Sequence, residues 1–338
     1  MARVVRTDRE LELPGVDAAL RAAGHALVLL PGGVTEDQLL AEVRDADLLL
    51  TCYTPVTRRV IEAVAKLRGI VKYGVGIDAI DVEAARARGI PVANVPEYAE
   101  ETVAEGTMAL MLALAKKLKP IQRAMDDKGW VWPAAQWMGL DLAGKTLGLV
   151  GIGRIGAKVA RIAGLGFRMR VLAFDPHADA ARFAEAGAAH RTELRALLAE
   201  SDFVSVHCVL NAETRGLIGQ RELAAMKPSA FLVNVSRGAI VDEAALLRAL
   251  QERRIAGAAL DVYSQEPLAK AAHPLSALYA MENVILSPHL TFHTHEAMAR
   301  LEAETLERCI EVLEGRPVTV KSRDPRLRAQ TRGVRFAD

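Results

Sequence analysis

Four short apolar runs in the second half of the chain each end in residues able to do chemistry. The run at 203–207 closes on His207-Cys208, and that at 230–235 on Asn234-Val235-Ser236-Arg237-Gly238. The run at 256–260 leads into Asp261 and then Glu266, and that at 283–286 into Ser287-Pro288-His289. Arg237 carries the planar fork of donors that matches a carboxylate. His289 exchanges a proton near neutral pH, and Glu266 beside it would orient the ring and favour its protonated form. Each of the three alone reads as a surface ion-pair partner. Together, at successive strand ends, they read as one site, because parallel strands present their carboxyl ends along a single ligand-binding edge.

A second signal supplies a cofactor. Gly151-x-Gly153-x-x-Gly156 follows the apolar run 146–150 and opens a helical pattern, and the next run ends in Asp175, 19 residues beyond Gly156. That spacing is the dinucleotide fingerprint. Gly151 permits the tight turn, Gly153 lets backbone approach the pyrophosphate, Gly156 allows close helix packing, and Asp175 reaches the ribose hydroxyls. The helix N-terminus offers unpaired N–H groups to the phosphates. A carboxylate at 175 repels a 2′-phosphate and Pro176-His177 brings no adjacent arginine, so NAD is expected over NADP. With a nicotinamide beside Arg237, Glu266 and His289, the set suits hydride transfer to a 2-oxo acid. Two further matches are rejected. Gly139 to Thr146 fits GxxxxGK[ST] but leads into a strand rather than a helix. His289, His293 and His295 resemble a metal cluster, but His293 and His295, at i, i+2, cannot share one helical face, so no joint metal site is expected.

The elements that position these residues follow from periodicity. Strand-like runs at 26–30, 47–50, 69–73 and 91–93 alternate with helical stretches at 35–44, 57–67 and 81–88, which implies parallel βαβ units. Residues 99–128 read as one long helix, followed by a loop with Trp130, Trp132 and Trp137 for which hinge packing is expected over lining of the cleft mouth or a subunit interface. Six strand candidates between 146 and 286 make a dinucleotide-binding sheet, and an amphipathic helix at 294–314 precedes the tail. The expected fold is α/β with two doubly wound parallel-sheet domains and a ligand cleft between them.

Composition excludes the other classes. The chain has 338 residues, 51% hydrophobic and 25% charged, with a net charge of +1 and 4% aromatics. No global field attracts nucleic acid or an anionic membrane, and base-stacking aromatics are scarce. The longest wholly apolar run, Met108 to Ala115, is too short to span a bilayer. Three scattered cysteines, Cys52, Cys208 and Cys309, and the lack of an apolar leader point to a reducing, cytoplasmic setting. The one charge bias is the tail 321–338, with six basic and two acidic side chains, read either as a solvated end or as an arm around a partner subunit.

Over about residues 45–315 the sequence resembles the D-isomer-specific 2-hydroxyacid dehydrogenases. The matching segments are KYGVGIDAID (72–81), the fingerprint at 147–156, VNVSRGAIVDEAAL (233–246), GAALDVYSQEP (257–267) and NVILSPHLTFHTHEA (283–297). The resemblance implies Arg237, Glu266 and His289 as the catalytic set, with no metal. It implies cofactor contacts at Val75, Val103, Arg154, Ile155, Asp175, His207, Cys208, Val235, Ser236 and Asp261 besides the three glycines. The backbone at Val75-Gly76 would hold the substrate carboxylate. It further implies a Rossmann NAD domain (99–290) inserted into a flavodoxin-like substrate domain (1–98 and 291–338), and a homodimer formed through the NAD domain. Phe292 resembles the aromatic of D-lactate and branched-chain hydroxyacid members, with packing against the final helix as its other reading; Tyr53 and Tyr98 are further pocket candidates. Thr51 stands where phosphoglycerate members place an arginine, which disfavours a phosphorylated substrate unless Arg58, Arg59 or Lys72 compensates. Glyoxylate, hydroxypyruvate and phosphoglycerate specificities stay open within the family, as does an NAD-sensing corepressor role. Glu266 argues against the formate dehydrogenases, which pair a glutamine with the histidine.

Overall fold

The computed structural model describes residues 1–337. The chain divides into two compact units, Met1–Ala99 with Thr294–Asp338, and Glu100–His293.

The first unit runs β1 (Arg3–Arg6), α1 (Pro14–Ala22), β2 (Ala26–Leu29), α2 (Glu36–Val43), β3 (Leu48–Thr51), α3 (Arg58–Ala63), β4 (Gly69–Lys72), α4 (Val82–Ala87) and β5 (Val92–Asn94). Its helices start where their caps dictate: Thr35, Thr57 and Asp81 each accept an N–H of the first turn of α2, α3 and α4. All five strands are parallel in the order β2-β1-β3-β4-β5, the flavodoxin-like winding. β1 is an inner strand of this sheet, yet no sequence period announces it. Its two valines are fully buried, but they are flanked by arginines, and Arg6 is buried too because Asp17 of α1 takes its fork at 2.9 and 2.8 Å.

The second unit runs α5 (Glu100–Ala115), α6 (Leu118–Lys128), β6 (Thr146–Val150), α7 (Arg154–Arg161), β7 (Arg170–Phe174), α8 (Ala180–Ala186), β8 (Ala189–His190), α9 (Leu194–Glu200), β9 (Phe203–Val206), α10 (Gln220–Ala225), β10 (Phe231–Asn234), α11 (Glu243–Gln251), β11 (Gly257–Leu260) and β12 (Val284–Leu286). The expected single helix over 99–128 is two. Pro120 cannot donate to Lys116 and its ring would strike that carbonyl, so the first helix ends and Lys117 turns left-handed at φ +52°. Pro120 then falls in the first turn of α6, where no donor is needed.

The sheet has seven parallel strands in the order β12-β11-β10-β9-β6-β7-β8, one more than expected. The extra strand, β8, is a two-residue exposed edge too short to show a pattern. The sequence reverses direction across β6 and β9, the switch point where doubly wound folds bind ligands. Gly139–Thr146 leads into β6 and not into a helix, as its rejection as a phosphate loop requires.

The first unit is completed by α12 (His295–Leu313), β13 (Val318–Val320), α13 (Pro325–Arg328) and β14 (Val334–Phe336). The basic tail is therefore folded, and its reading as a solvated end gives way. β13 pairs with β14, and Gln330 caps the edge of β5 by accepting from the Val92 N–H at 2.7 Å and donating to its carbonyl at 2.9 Å. Lys321 pairs with Glu304 at 2.9 Å and Arg335 with buried Glu311 at 3.3 Å, so tail cations are matched to carboxylates of α12.

Candidate active site

In the second unit, register decides which residues meet. Val150 lies opposite Phe174 and Val206, and Asn234 opposite Val206 and Leu260, which in turn pairs with Leu286. The six strand ends from β12 to β7 thus form one row. The loops that leave it carry His289, Glu266, Arg237, His207-Cys208, the Gly151 turn and Asp175 in that spatial order.

Glu266 Oε2 lies 3.0 Å from His289 Nδ1, and Glu266 Oε1 accepts the Tyr263 N–H at 3.0 Å. Burial alone would raise the Glu266 carboxyl. The His289 hydrogen bond and charge, the Tyr263 N–H and the charge of Arg237 together outweigh it and hold the group below the usual carboxylate range. Glu266 is therefore an anionic acceptor at neutral pH.

His289 is held in the left-handed region, φ +58°, which a non-glycine residue adopts at a cost. Asp261 supports that turn from a fully buried position. Its carboxylate accepts the Leu290 N–H at 2.9 Å, the Thr291 N–H at 3.2 Å and the Thr291 hydroxyl at 2.5 Å. Phe292 is buried and meets the His289 ring edge-on, with centroids 6.1 Å apart and planes at 85°.

The Arg237 loop is fixed by its neighbours. Asn234 accepts the Ser236 N–H at 3.1 Å and donates to the Arg237 carbonyl at 2.9 Å, while the Ser236 hydroxyl donates to the Cys208 carbonyl at 2.7 Å. Gly238 lets this loop lie on the Glu266 loop: a Cβ there would sit 2.0 Å from the Tyr263 carbonyl carbon. The role of Gly238 was not legible, since a glycine after an arginine signals no contact across strands.

The fingerprint loop has the space and the donors a dinucleotide needs. Gly151 sits at φ +100°, and a Cβ on it would strike the Cys208 nitrogen at 2.7 Å. A Cβ on Gly156 would meet the Gly151 carbonyl oxygen at 2.4 Å, whereas around Gly153 nothing lies within 4 Å. No side chain caps α7, so the N–H groups of its first turn, from Arg154 through Gly156, are presented for a pyrophosphate. Asp175 accepts the Ile152 N–H at 3.0 Å and the His177 N–H at 3.0 Å, and its two oxygens retain lone pairs for ribose hydroxyls. These residues fit NAD.

Burial drives His207 down to about 3, with its ring 2.8 Å from the Ser205 hydroxyl, and pushes the Cys208 thiol up to about 12. The floor between β6 and β9 is thus uncharged at neutral pH. Val235 is buried at the end of β10, Ile155 is half-buried on α7, and Val103 is buried on α5, which packs on α7 and on β10, β11 and β12.

The first unit has its own row of strand ends. Asp8, just past β1, was missed by sequence reasoning because β1 itself was missed. Its carboxylate occupies the switch point of that sheet. Oδ2 accepts the N–H groups of Cys52 and Tyr53 at 2.9 Å each and of Thr54 at 3.2 Å, and Oδ1 accepts the Thr54 hydroxyl at 2.8 Å. Burial pushes this carboxyl up, but the bonds from Thr7, Cys52 and Thr54 prevail and hold it low. A group lowered by folding stabilises the fold fully above its unfolded pKa of about 3.9 and loses that contribution as pH falls through the folded value. Asp8→Asn turns one acceptor into a donor facing these N–H groups. It is expected to cost about 1–3 kcal/mol at pH 7 and to flatten the fall of stability below about pH 4. Denaturant melts of both proteins across pH 3–7 check this, and parallel curves would dismiss the assignment.

Val75, past the end of β4, and Tyr53, past the end of β3, are exposed, and Asn94 donates to the Val75 carbonyl at 2.6 Å. Lys72 donates to the Cys52 carbonyl, with its amine 5.5 Å from the Tyr53 ring centroid. Thr51 is buried and donates to the Thr54 carbonyl at 2.8 Å, and Tyr98 is buried. Arg59 pairs with Glu36 and Asp37 at 2.8 Å each, and Arg58 with Asp81 at 3.4 Å. Trp130 and Trp132 are 70% and 76% exposed and contact one another edge-on, contrary to the packed hinge expected of them. Among the described residues, no helix is long and apolar enough to cross a membrane and no three His, Cys, Asp or Glu side chains form a metal-holding group.

Comparison with known proteins agrees with this architecture. Residues 108–291 match the family model for the D-isomer specific 2-hydroxyacid dehydrogenase, NAD binding domain. The chain is 42% identical to the glyoxylate reductase of Korarchaeum cryptofilum over 80% of its own length and 81% of that protein. It is 39% identical to the D-3-phosphoglycerate dehydrogenase of Methanocaldococcus jannaschii over 84% of its length, and spans only 53% of that longer protein. The D-lactate dehydrogenase from Aquifex aeolicus, solved with NAD and lactic acid, superimposes with a TM-score of 0.81 at 29% identity, covering 92% of this chain and 96% of that one. The chain belongs to the D-isomer specific 2-hydroxyacid dehydrogenase family and is an NAD-dependent oxidoreductase of it.

Proposed function

We propose that the protein interconverts a small, unphosphorylated 2-oxo acid and the corresponding D-2-hydroxy acid, with Arg237, Glu266 and His289 as its catalytic residues. The observation that carries this reading is the 3.0 Å contact between Glu266 Oε2 and His289 Nδ1, at a strand end two strands from Arg237. NAD, when bound, supplies or accepts the hydride at the substrate C2. In reduction His289, oriented through Nδ1, gives a proton from Nε2 to the ketone oxygen as the carbonyl π bond breaks. Arg237 binds the substrate carboxylate and polarises the carbonyl, stabilising the negative charge that develops on oxygen. The Val75-Gly76 backbone is assigned to the same carboxylate. Asp261, which the family resemblance places against the cofactor, is assigned chiefly to hold the His289 turn.

A small substrate is favoured by Phe292, which is buried against His289. The absence of a phosphate is favoured by buried Thr51 and by the carboxylate partners of Arg58 and Arg59. Glyoxylate and pyruvate are the first candidates, the 2-oxo acids corresponding to the names of the glyoxylate reductase and D-lactate dehydrogenase relatives, against the phosphorylated substrate named by the phosphoglycerate dehydrogenase. The test is kcat/KM with NADH across glyoxylate, pyruvate, hydroxypyruvate, phosphohydroxypyruvate, branched oxo acids and phenylpyruvate. Preference for phosphohydroxypyruvate would overturn the substrate reading, and NADH binding without turnover on any acid would favour a sensor.

We assign the first unit to the substrate and the second to NAD, and infer a cytoplasmic homodimer formed through the second. The dimer rests on the exposure of Trp130, Trp132, Met138 and Leu165, large apolar side chains that a monomer rarely leaves in water. Trp130→Ser/Trp132→Ser is expected to halve the mass seen by light scattering; a wild-type protein of monomer mass would refute the dimer.

A further inference from the structure

We propose that Arg182 is a latent anchor for the 2′-phosphate of a phosphorylated dinucleotide, silenced by Asp175. No arginine adjoins Asp175 in sequence, but the fold returns one to it. After β7 the chain turns through residues 175–179, and Asp179 caps α8 by accepting the Arg182 N–H at 2.9 Å. Arg182 thereby projects back onto the fingerprint loop, where its Nε donates to the Ile152 carbonyl at 2.9 Å. The N–H of the same residue, Ile152, donates to Asp175 Oδ2 at 3.0 Å. An acid and a base thus clasp the two ends of one fingerprint residue.

Asp175 is the residue expected at the ribose hydroxyls, so Arg182 stands beside the position a 2′-phosphate would take. The charge around it explains why the present protein does not use it that way. Asp175 adds a full negative charge, Glu213 adds another by reaching His177 at 3.0 Å, and Glu185 lies 3.8 Å from the Arg182 guanidinium. A phosphate with nearly two negative charges is repelled before the fork can engage it. Without the carboxylate at 175, the guanidinium is a donor fork suited to phosphate oxygens.

This inference rests on the fingerprint loop being the NAD site, and the probes keep the two apart. Binding of AMP and of adenosine 2′,5′-bisphosphate is measured by titration calorimetry for the wild type, Asp175→Ala, Asp175→Ala/Arg182→Met and Asp175→Ala/Arg182→Lys. Asp175→Ala is expected to bind the bisphosphate about tenfold more tightly than the wild type, the value of one additional charge-assisted hydrogen bond. Methionine at 182 should remove most of that gain and lysine should keep part of it. AMP loses the Asp175 bond to its ribose in all three variants, so its affinity should fall below the wild type but agree within about threefold among them. The proposal fails if the methionine variant keeps the gain, since lost repulsion alone would then explain it. It fails equally if Asp175→Ala gains nothing, or if adding Arg182→Met lowers AMP binding together with bisphosphate binding, which would leave Arg182 a support of the loop. A wild type that binds no AMP would instead remove the nucleotide site itself.

Discussion

His289→Ala is expected to lower kcat by about 10²–10⁴-fold, the usual value of a positioned acid–base group, while leaving NADH affinity within about twofold. The separation of the two effects follows from how the turn is built. The strained backbone at His289 is held by Asp261 through Leu290 and Thr291, not by the imidazole, and Glu266 keeps its bond from the Tyr263 N–H. Truncating the ring therefore removes the proton donor without releasing the turn, and the fingerprint loop lies on other strands. Glu266→Gln is the companion variant. Glu266 is already ionised well below neutral pH, so it does not itself titrate in the working range. Its replacement should shift the pH profile of kcat, because the charge facing Nδ1 disappears. Stopped-flow reduction with bound NADH measures both. Turnover of His289→Ala near the wild-type rate would end the acid–base assignment.

What the sequence allowed to be read, and what it hid, have physical causes. The candidate strand-end residues were legible because strands of a parallel sheet, buried on both faces, are continuous apolar runs, so the polar residue closing each run stands out. The fingerprint was legible because a positive φ at Gly151 and a backbone contact across β6 and β9 leave almost no choice of residue. β1 was hidden because a buried ion pair, Arg6 with Asp17, makes a core strand look like a surface segment. Asp8 was lost with it, although it organises the loop that ends β3. The tail's positive charge suggested solvent or a partner, since pairing with Glu304 and Glu311 depends on side chains brought close only by the turn after α12. Arg182 went unseen at the cofactor for a similar reason. It lies seven positions beyond Asp175, and only the capped start of α8 brings it back.

Arg237→Ala is expected to cost about 2–5 kcal/mol of transition-state binding, roughly 30- to 5,000-fold in kcat/KM, as when one partner of a desolvated charge pair is removed. The loss should appear in both KM and kcat, because the same fork would hold the carboxylate in the ground state and polarise the carbonyl as charge develops. Arg237→Lys decides between a fork and a point charge. Lysine keeps the charge but cannot make two parallel hydrogen bonds to a carboxylate. The backbone offers neither variant an excuse of misfolding. Asn234 grips the loop on both sides of Ser236, Ser236 is tied to the Cys208 carbonyl, and Gly238 lies on the backbone of the Glu266 loop. The guanidinium also bonds to its own loop, its Nη1 donating to the Ser236 carbonyl at 2.7 Å. NADH titration is expected to be unchanged in both variants, since the fingerprint loop proposed to hold the cofactor lies at the β6 and β7 ends. If Arg237→Lys retains most of the wild-type kcat/KM, the fork is not the recognition element. Carboxylate binding would then fall to the backbone N–H groups at Val75-Gly76, with Arg237 contributing only field.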